Sequence, residues 1–385
     1  EQAWEFAREF DMPCVIFINK LDRERADFTR AFEEARGILD PKPIVLQLPI
    51  GKEAAVNGVV DLARMKAYSY EADGKAKEID IPADMKDAVE SEREAFIENV
   101  AEADDALVER YLEGEELTDE DIKAALTKGL LSRIFVPVLC GSATANVGIE
   151  LLMDFVVASV PSPADRGAIN AFDESGENVV ACEPDPSAPF AGFVFKTVAD
   201  PYAGRLSIFR IVSGTLGGDG TFYNPNKRTR ERYNQLLTLA GKEQKPAGQA
   251  GPGAIVTVAK LKETTTGDTL CAENRKVKFA TAEPIPTLIS YALTAKSKGD
   301  EDKIFSSLSK LMEEDMGLKL DRNAETKEIL LSGAGQIHIE VTIVKLKRKF
   351  NVEAVLNIPK VPYRETIKKK VRVQGRHKKQ PGGHG

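Results

Sequence analysis

The sequence predicts a multidomain chain of α/β plus β architecture: an α/β domain carrying an insertion, a small closed β-barrel, and an α+β domain. Three observations predict it. Strand-like apolar runs alternate with helical segments up to about residue 160, short strands separated by glycine-rich turns fill 189–281, and the pattern from 284 to 359 reads strand, helix, strand, strand, helix, strand. A length of 385 residues is too great for one ordinary core, and 42% hydrophobic with 29% charged residues is a globular balance.

The elements follow in order. "EQAWEFAREF" is an amphipathic helix over 1–10 with Trp4, Phe6, Ala7 and Phe10 on one side, followed by a strand at 14–18 and a helix near 25–38. "PIVLQLPIG", "GVVDL" and "KAYSYE" are short strands, and 83–131 is an acidic helical stretch in which Thr118 and Asp121 have capping-box spacing. "IFVPVLCGSA" is a second buried strand with a small, polar end, and "GIELLMDFVVASVP" a helix that closes the domain. The Pro-, Asp-, Ser- and Gly-rich stretch 161–188 reads as a linker. In the last third, strands at 287–294, 317–321, 327–332 and 352–357 with helices at 300–315 and 335–349 make the split-βαβ, ferredoxin-like order. "YRETIKKKVRVQG" then begins one more strand. The chain opens without Met inside a helix and closes in "RHKKQPGGHG", so the expectation is an internal fragment.

Charge is distributed unevenly. The net charge of −7 contains a segment, 83–121, with 16 acidic against three basic residues, and another, 345–385, with 13 basic against two acidic. Each run also reads as a solvated face, but opposite poles suit a chain that meets an RNA-rich partner at one end. Lys368, Lys369, Lys370, Arg372, Arg376, Lys378 and Lys379 are the candidate RNA-contacting residues, since clustered cations neutralise phosphates without reading sequence. No apolar run approaches the ~20 residues of a membrane span. Four scattered cysteines without a CxxC pair point to reduced thiols and a cytoplasmic setting. His338 reads as a structural residue fixing the Gly333–Gly335 loop, and His377 and His384 lack metal-ligand neighbours, so no metal site is expected.

Two strand ends carry the chemistry. In "VIFINKLDRERADF" an apolar strand stops at Asn19, Lys20 and Asp22. A fixed carboxylate accepts the adjacent N1–H and N2–H₂ donors of guanine, a pair adenine lacks, while Asn19 serves N7 and the Lys20 stem covers the ring. In "VLCGSA" backbone N–H groups near Ser142 and Ala143 would approach O6, with Gly141 permitting the turn. Either pattern alone also occurs as an ordinary turn; together, at the ends of strands in an α/β domain, they form a candidate guanine site.

NKLD followed by GSA resembles the fourth and fifth guanine-recognition motifs of translational GTPases. The separation of 120 positions from Asp22 to Ser142 is long for a simple GTPase domain, and an insertion in this place resembles elongation factor G, whose GTPase domain carries an extra subdomain there. "TTTGDTLC" (264–271), "EILLSGAGQIHIEV" (328–341) and "VPYRETI" (361–367) are similar to segments of that family's barrel, third and fourth domains. The resemblance implies a partial P-loop GTPase domain over 1–160 with an inserted subdomain at about 42–132. It further implies a linker at 161–188, a barrel at 189–281, a ferredoxin-like domain at 284–359 and the start of a truncated fourth domain at 360–385. It implies GTP or GDP with Mg²⁺ as cofactors of the intact protein. The implied partners are ribosomal RNA and stalk proteins, with the tRNA–mRNA complex indirectly; the implied chain is a monomer, with no membrane partner. Gln336, where the family usually has Glu, and Thr144, where many GTPases have Lys, leave the subtype open. No GxxxxGK[ST] occurs, so no catalytic residue is expected in this chain and bound nucleotide is not expected on it. A ribosome-binding module without GTPase chemistry, or a ribosomal-protection or recycling factor on the same scaffold, are the alternative readings.

Overall fold

The computed structural model describes residues 2–71, 74–200, 204–241, 243–281, 283–296 and 299–375. They fall into two compact units, Glu1–Gly167 and Ala168–Gly385.

The first unit starts with α1 (Gln2–Glu9), β1 (Ile16–Ile18), α2 (Phe28–Ile38) and β2 (Lys42–Val45). Helix α2 begins at Phe28, later than expected, because Asp27 caps it by accepting the Arg30 N–H at 2.9 Å. A four-stranded antiparallel meander follows: β3 (Gln47–Ile50), β4 (Gly58–Asp61), β5 (Lys66–Tyr70) and β6 (Ala76–Ile79). The insertion, expected from residue 42, therefore leaves the parallel sheet only after Val45; one extended run, 42–50, serves two sheets in turn. Helices α3 (Lys86–Ala101), α4 (Asp105–Leu112) and α5 (Asp119–Leu131) hold the acidic stretch, and α5 carries the expected capping box between Thr118 and Asp121. Arg110, the largest influence, and the Thr118 donors bring the Asp121 carboxyl down to about 2. Strand β7 (Phe135–Cys140), buried at every position, lies between β1 and β2 in a parallel sheet, and α6 (Ile149–Ser159) and α7 (Pro163–Arg166) follow it.

The second unit corrects the linker expected at 161–188. Beyond α7, β8 (Ile169–Asp173) and β9 (Val179–Cys182) form a hairpin whose Ala171 and Cys182 are buried. Asp173 holds its turn, accepting from Ser175 Oγ, Gly176 N–H and Asn178 Nδ2.

The strands that follow are β10 (Ala191–Asp200), β11 (Gly204–Ser213), β12 (Leu216–Gly217), β13 (Gly220–Asn224), β14 (Thr229–Tyr233), β15 (Leu237–Ala240), β16 (Glu243–Pro246), β17 (Gln249–Ala250), β18 (Ile255–Ala259), β19 (Thr269–Cys271) and β20 (Val277–Lys278). Eight of them make one sheet in the order β14-β13-β19-β10-β11-β18-β15-β16. Tyr233 from one end and Leu236 beside the other share a core with Phe209 and Phe222, so the sheet curls on itself as a barrel does. Strand β20 pairs with β8, and Glu174 accepts from Tyr223 Oη at 2.8 Å and Lys276 Nζ at 3.2 Å; both contacts dock the hairpin on the barrel.

The last domain is β21 (Ile289–Ala295), α8 (Glu301–Glu314), β22 (Lys319–Arg322), β23 (Ile329–Gly333), α9 (Gln336–Phe350) and β24 (Ala354–Asn357), with strand order β22-β23-β21-β24, all antiparallel. Ile304, Leu308 and Leu311 bury one stripe of α8, spaced as a 3.6-residue period requires. His338 accepts the Ala334 N–H at Nδ1 and meets Asp315 through Nε2 at 2.9 Å, the loop-fixing role expected of it. The strand expected over 363–375 is not formed. Those residues are exposed, and among the described residues no strand pairs with them, without which a lone strand has no ladder.

The TTTGDTLC segment proves to be a buried polar knot. Glu231, 7% exposed, accepts the N–H groups of Lys262, Glu263 and Thr264 and the Thr264 hydroxyl, while Asp268 accepts from Asn224 Nδ2 and Thr265 N–H. Glu231→Ala strands four donors, of which the Thr264 N–H and hydroxyl are buried, and is expected to cost about 3 kcal/mol. Glu231→Gln, which still accepts, is expected to cost less. Calorimetry of the two variants checks the order.

Candidate functional site

The site is assembled by the parallel pairing of β1 with β7, in which Ile16, Phe17 and Ile18 stand opposite Val138, Leu139 and Cys140. The ladder continues past the strand ends: Gly141 N–H donates to Ile18 O at 3.1 Å and Leu21 N–H to Gly141 O at 3.3 Å. Leu21 is buried while its neighbours Asn19 and Lys20 are exposed, so the apolar side chain anchors a loop whose polar residues face out. Lys20 takes a φ of 64°, a left-handed conformation uncommon outside glycine.

Residues 120 apart in sequence meet there. Ser142, fully buried, donates from Oγ to Asp22 Oδ1 at 2.6 Å. That bond, ahead of the neighbouring Arg23, holds the Asp22 carboxyl below the usual carboxylate range. Asn19 Oδ1 accepts the N–H of Lys20 at 2.7 Å and of Ala143 at 2.9 Å. Gly141 is required by space, since a Cβ would stand 2.1 Å from Val147 O, and Gly148, at φ 78°, would place one 2.4 Å from Cys140 O.

Asn19, Lys20, Asp22, Ser142 and Ala143 are thus brought together, with one correction. Ser142 N–H donates to Val147 O at 3.0 Å and Ala143 N–H to Asn19 Oδ1, so both of the donors expected for O6 are already engaged. The next N–H of the loop, that of Thr144, has no partner among the described residues. Asn19 Nδ2 has none either, which leaves it available as a donor. Lys368, Lys369, Lys370 and Arg372 are exposed and lie in no regular element, while Arg376, Lys378 and Lys379 lie outside the described residues.

Sequence reasoning missed a brace on the same loop. Asn146 Nδ2 donates to Gly74 O at 3.0 Å, and Ala76 N–H to Glu150 Oε2 at 3.3 Å, tying the β5–β6 hairpin of the insertion to residues 142–150. Asn146, at φ 56°, and Gly148 are residue types suited to left-handed turns; that pairing was the available signal.

Three family models match the chain in order: the elongation factor Tu GTP-binding domain over 1–162, elongation factor G domain 2 over 189–273, and elongation factor G domain III over 284–358. The chain belongs to the elongation factor G-like translational GTPases. A crystal structure of a protein from Thermus thermophilus is 30% identical and superposes with a TM-score of 0.81 over 96% of this elongation factor G-like chain. The match takes in 52% of the bacterial chain, so this chain spans about half the length of its structural relative.

Ser142→Ala removes the main influence that lowers the Asp22 pKa. Its titration, followed by carboxyl carbon NMR, is expected to move up toward the ordinary aspartate value. A depressed folded pKa stabilises the fold above the unfolded carboxylate range and loses that contribution as pH falls through the folded value. The variant should therefore lose less stability on acidification than the parent chain.

Proposed function

We propose that this chain is the guanine-reading part of a ribosome-dependent translational GTPase that promotes movement of tRNA and mRNA during elongation. The Ser142–Asp22 hydrogen bond carries the reading. It fixes one carboxylate oxygen in place and favours the ionised form, leaving lone pairs to accept the N1–H and N2–H₂ of guanine. Asn19 is oriented by two backbone donors so that its free Nδ2 donates to N7, and the Lys20 stem covers the ring face. With Ala143 N–H engaged, O6 falls to the Thr144 N–H.

The residues present fit the base and not the rest of the nucleotide. The sequence contains no GxxxxGK[ST], so neither phosphates nor Mg²⁺ have their usual holder here, and no step of hydrolysis is assigned to these residues. In the full family protein, GTP would drive rearrangement of the later domains. The acidic helices α3 to α5 and the cations Lys368, Lys369, Lys370 and Arg372 would meet basic stalk residues and ribosomal RNA respectively.

Two outcomes test this. Asp22→Asn should exchange preference for GMP over XMP by about 100-fold, because xanthine presents an acceptor where guanine presents its amine. Unchanged selectivity in a paired titration removes the base-reading assignment. The 385-residue chain mixed with ribosomes and GTP should release no phosphate above the ribosome background, and measurable stimulated hydrolysis would refute the division of labour.

A further inference from the structure

A cavity separate from the base-facing loops lies between the inserted sheet and helices α5 and α6, with a volume of about 480 Å³. Small-ligand sites have volumes of this order. Its polar floor comes from the register of β3 and β4, which sets Gln47 directly opposite Asp61. Opposed residues of an antiparallel pair project to one face of the sheet. Both are more than nine-tenths buried, Gln47 at 1% and Asp61 at 8% exposure.

Each side chain is half satisfied. Gln47 Oε1 accepts the Cys140 N–H at 3.3 Å, which orients the amide with Nε2 as its remaining donor. Asp61 Oδ1 accepts the N–H groups of Ala63 at 2.9 Å and Arg64 at 3.1 Å. Among the described residues nothing hydrogen-bonds to Gln47 Nε2 or to Asp61 Oδ2. The sealed, unpartnered side-chain atoms among the described residues are Tyr70 Oη, Ser207 Oγ and Thr326 Oγ1, so Gln47 Nε2 and Asp61 Oδ2 are instead reached by solvent through the cavity their residues line, where a ligand can take the place of water. Leu46, Ile122, Leu126 and Phe155 supply apolar wall, and Arg64, Lys66 and Lys123 stand among the lining residues with Asp119. Lys66 is committed to Glu78 at 2.9 Å, whereas Arg64 and Lys123 have no ion pair among the described residues.

We propose that this cavity is a second nucleotide site, taking a mononucleotide whose base edge sets a hydrogen-bond donor beside an acceptor. The donor of the base meets Asp61 Oδ2 and its acceptor meets Gln47 Nε2. The ring lies against the apolar wall, and the phosphate reaches Arg64 and Lys123. Adenine satisfies this with its exocyclic amine and adjacent ring nitrogen. It lacks the paired donors that the Asp22 carboxylate would read, so 5′-AMP separates the two sites.

Isothermal titration of the 385-residue chain with 5′-AMP tests the proposal. Saturable one-to-one binding is expected. Asp61→Asn keeps an oxygen for the Ala63 and Arg64 donors and replaces Oδ2 with an amide nitrogen, so the fold stays and affinity should fall at least about tenfold. Lys123→Ala, at an exposed position, should weaken binding about fivefold and flatten its salt dependence. Absence of saturable binding overturns the proposal, and so does binding that Asp61→Asn leaves unchanged, which would place AMP elsewhere. Neither result touches the Asp22 reading, which rests on other residues.

Discussion

The parallel ladder between β1 and β7 is the constraint on which the candidate base site depends. It is short, three residue pairs, yet it aligns two strand ends from distant parts of the chain and carries their backbones past the sheet through Gly141. Once Leu21 is buried and Gly141 lies against Val147, Asp22 and Ser142 have little freedom left, and their hydrogen bond forms in a preset geometry. The specificity proposed for this site would rest on backbone placement, with the side chains only completing it.

Elsewhere in the chain buried polar groups follow two different rules. Glu231 and Asp268 are enclosed but fully supplied with donors, and they hold the 261–268 loop to the barrel. Gln47 and Asp61 are buried to a similar degree as residues, yet each keeps one polar atom that no described residue meets and that solvent reaches through the cavity. The first arrangement is what stability alone selects, since each carboxylate replaces water with fixed N–H groups. The contrast within one molecule is what sets the second arrangement apart.

Local chemistry was legible in the sequence and non-local pairing was not. The Thr118–Asp121 capping box, the helix at 300–315 and the βαββαβ order depend on residues a few positions apart, and each formed where expected. Asn19, Asp22 and Ser142 were legible because their types and order form a motif. The engagement of the Ala143 N–H was not, because it depends on where the Asn19 amide points after the loops meet. The 161–188 stretch failed for a related reason. Its strands are short, diluted by Pro, Asp, Ser and Gly, and completed by β20 about a hundred residues later. The 363–375 segment has period-2 alternation, but a pattern without a partner strand is only a propensity.

The insertion is joined to the rest of its unit at two places that differ in kind. Residues 42–50 run without a break from one sheet into the other, and the β5–β6 hairpin returns to clasp Asn146 and Glu150. A lever attached at its base and at its tip cannot swing without moving the loop it holds. If a partner that grips the hairpin changes the affinity of the candidate base site, occupancy of that site must change the partner's affinity for the insertion by the same free energy.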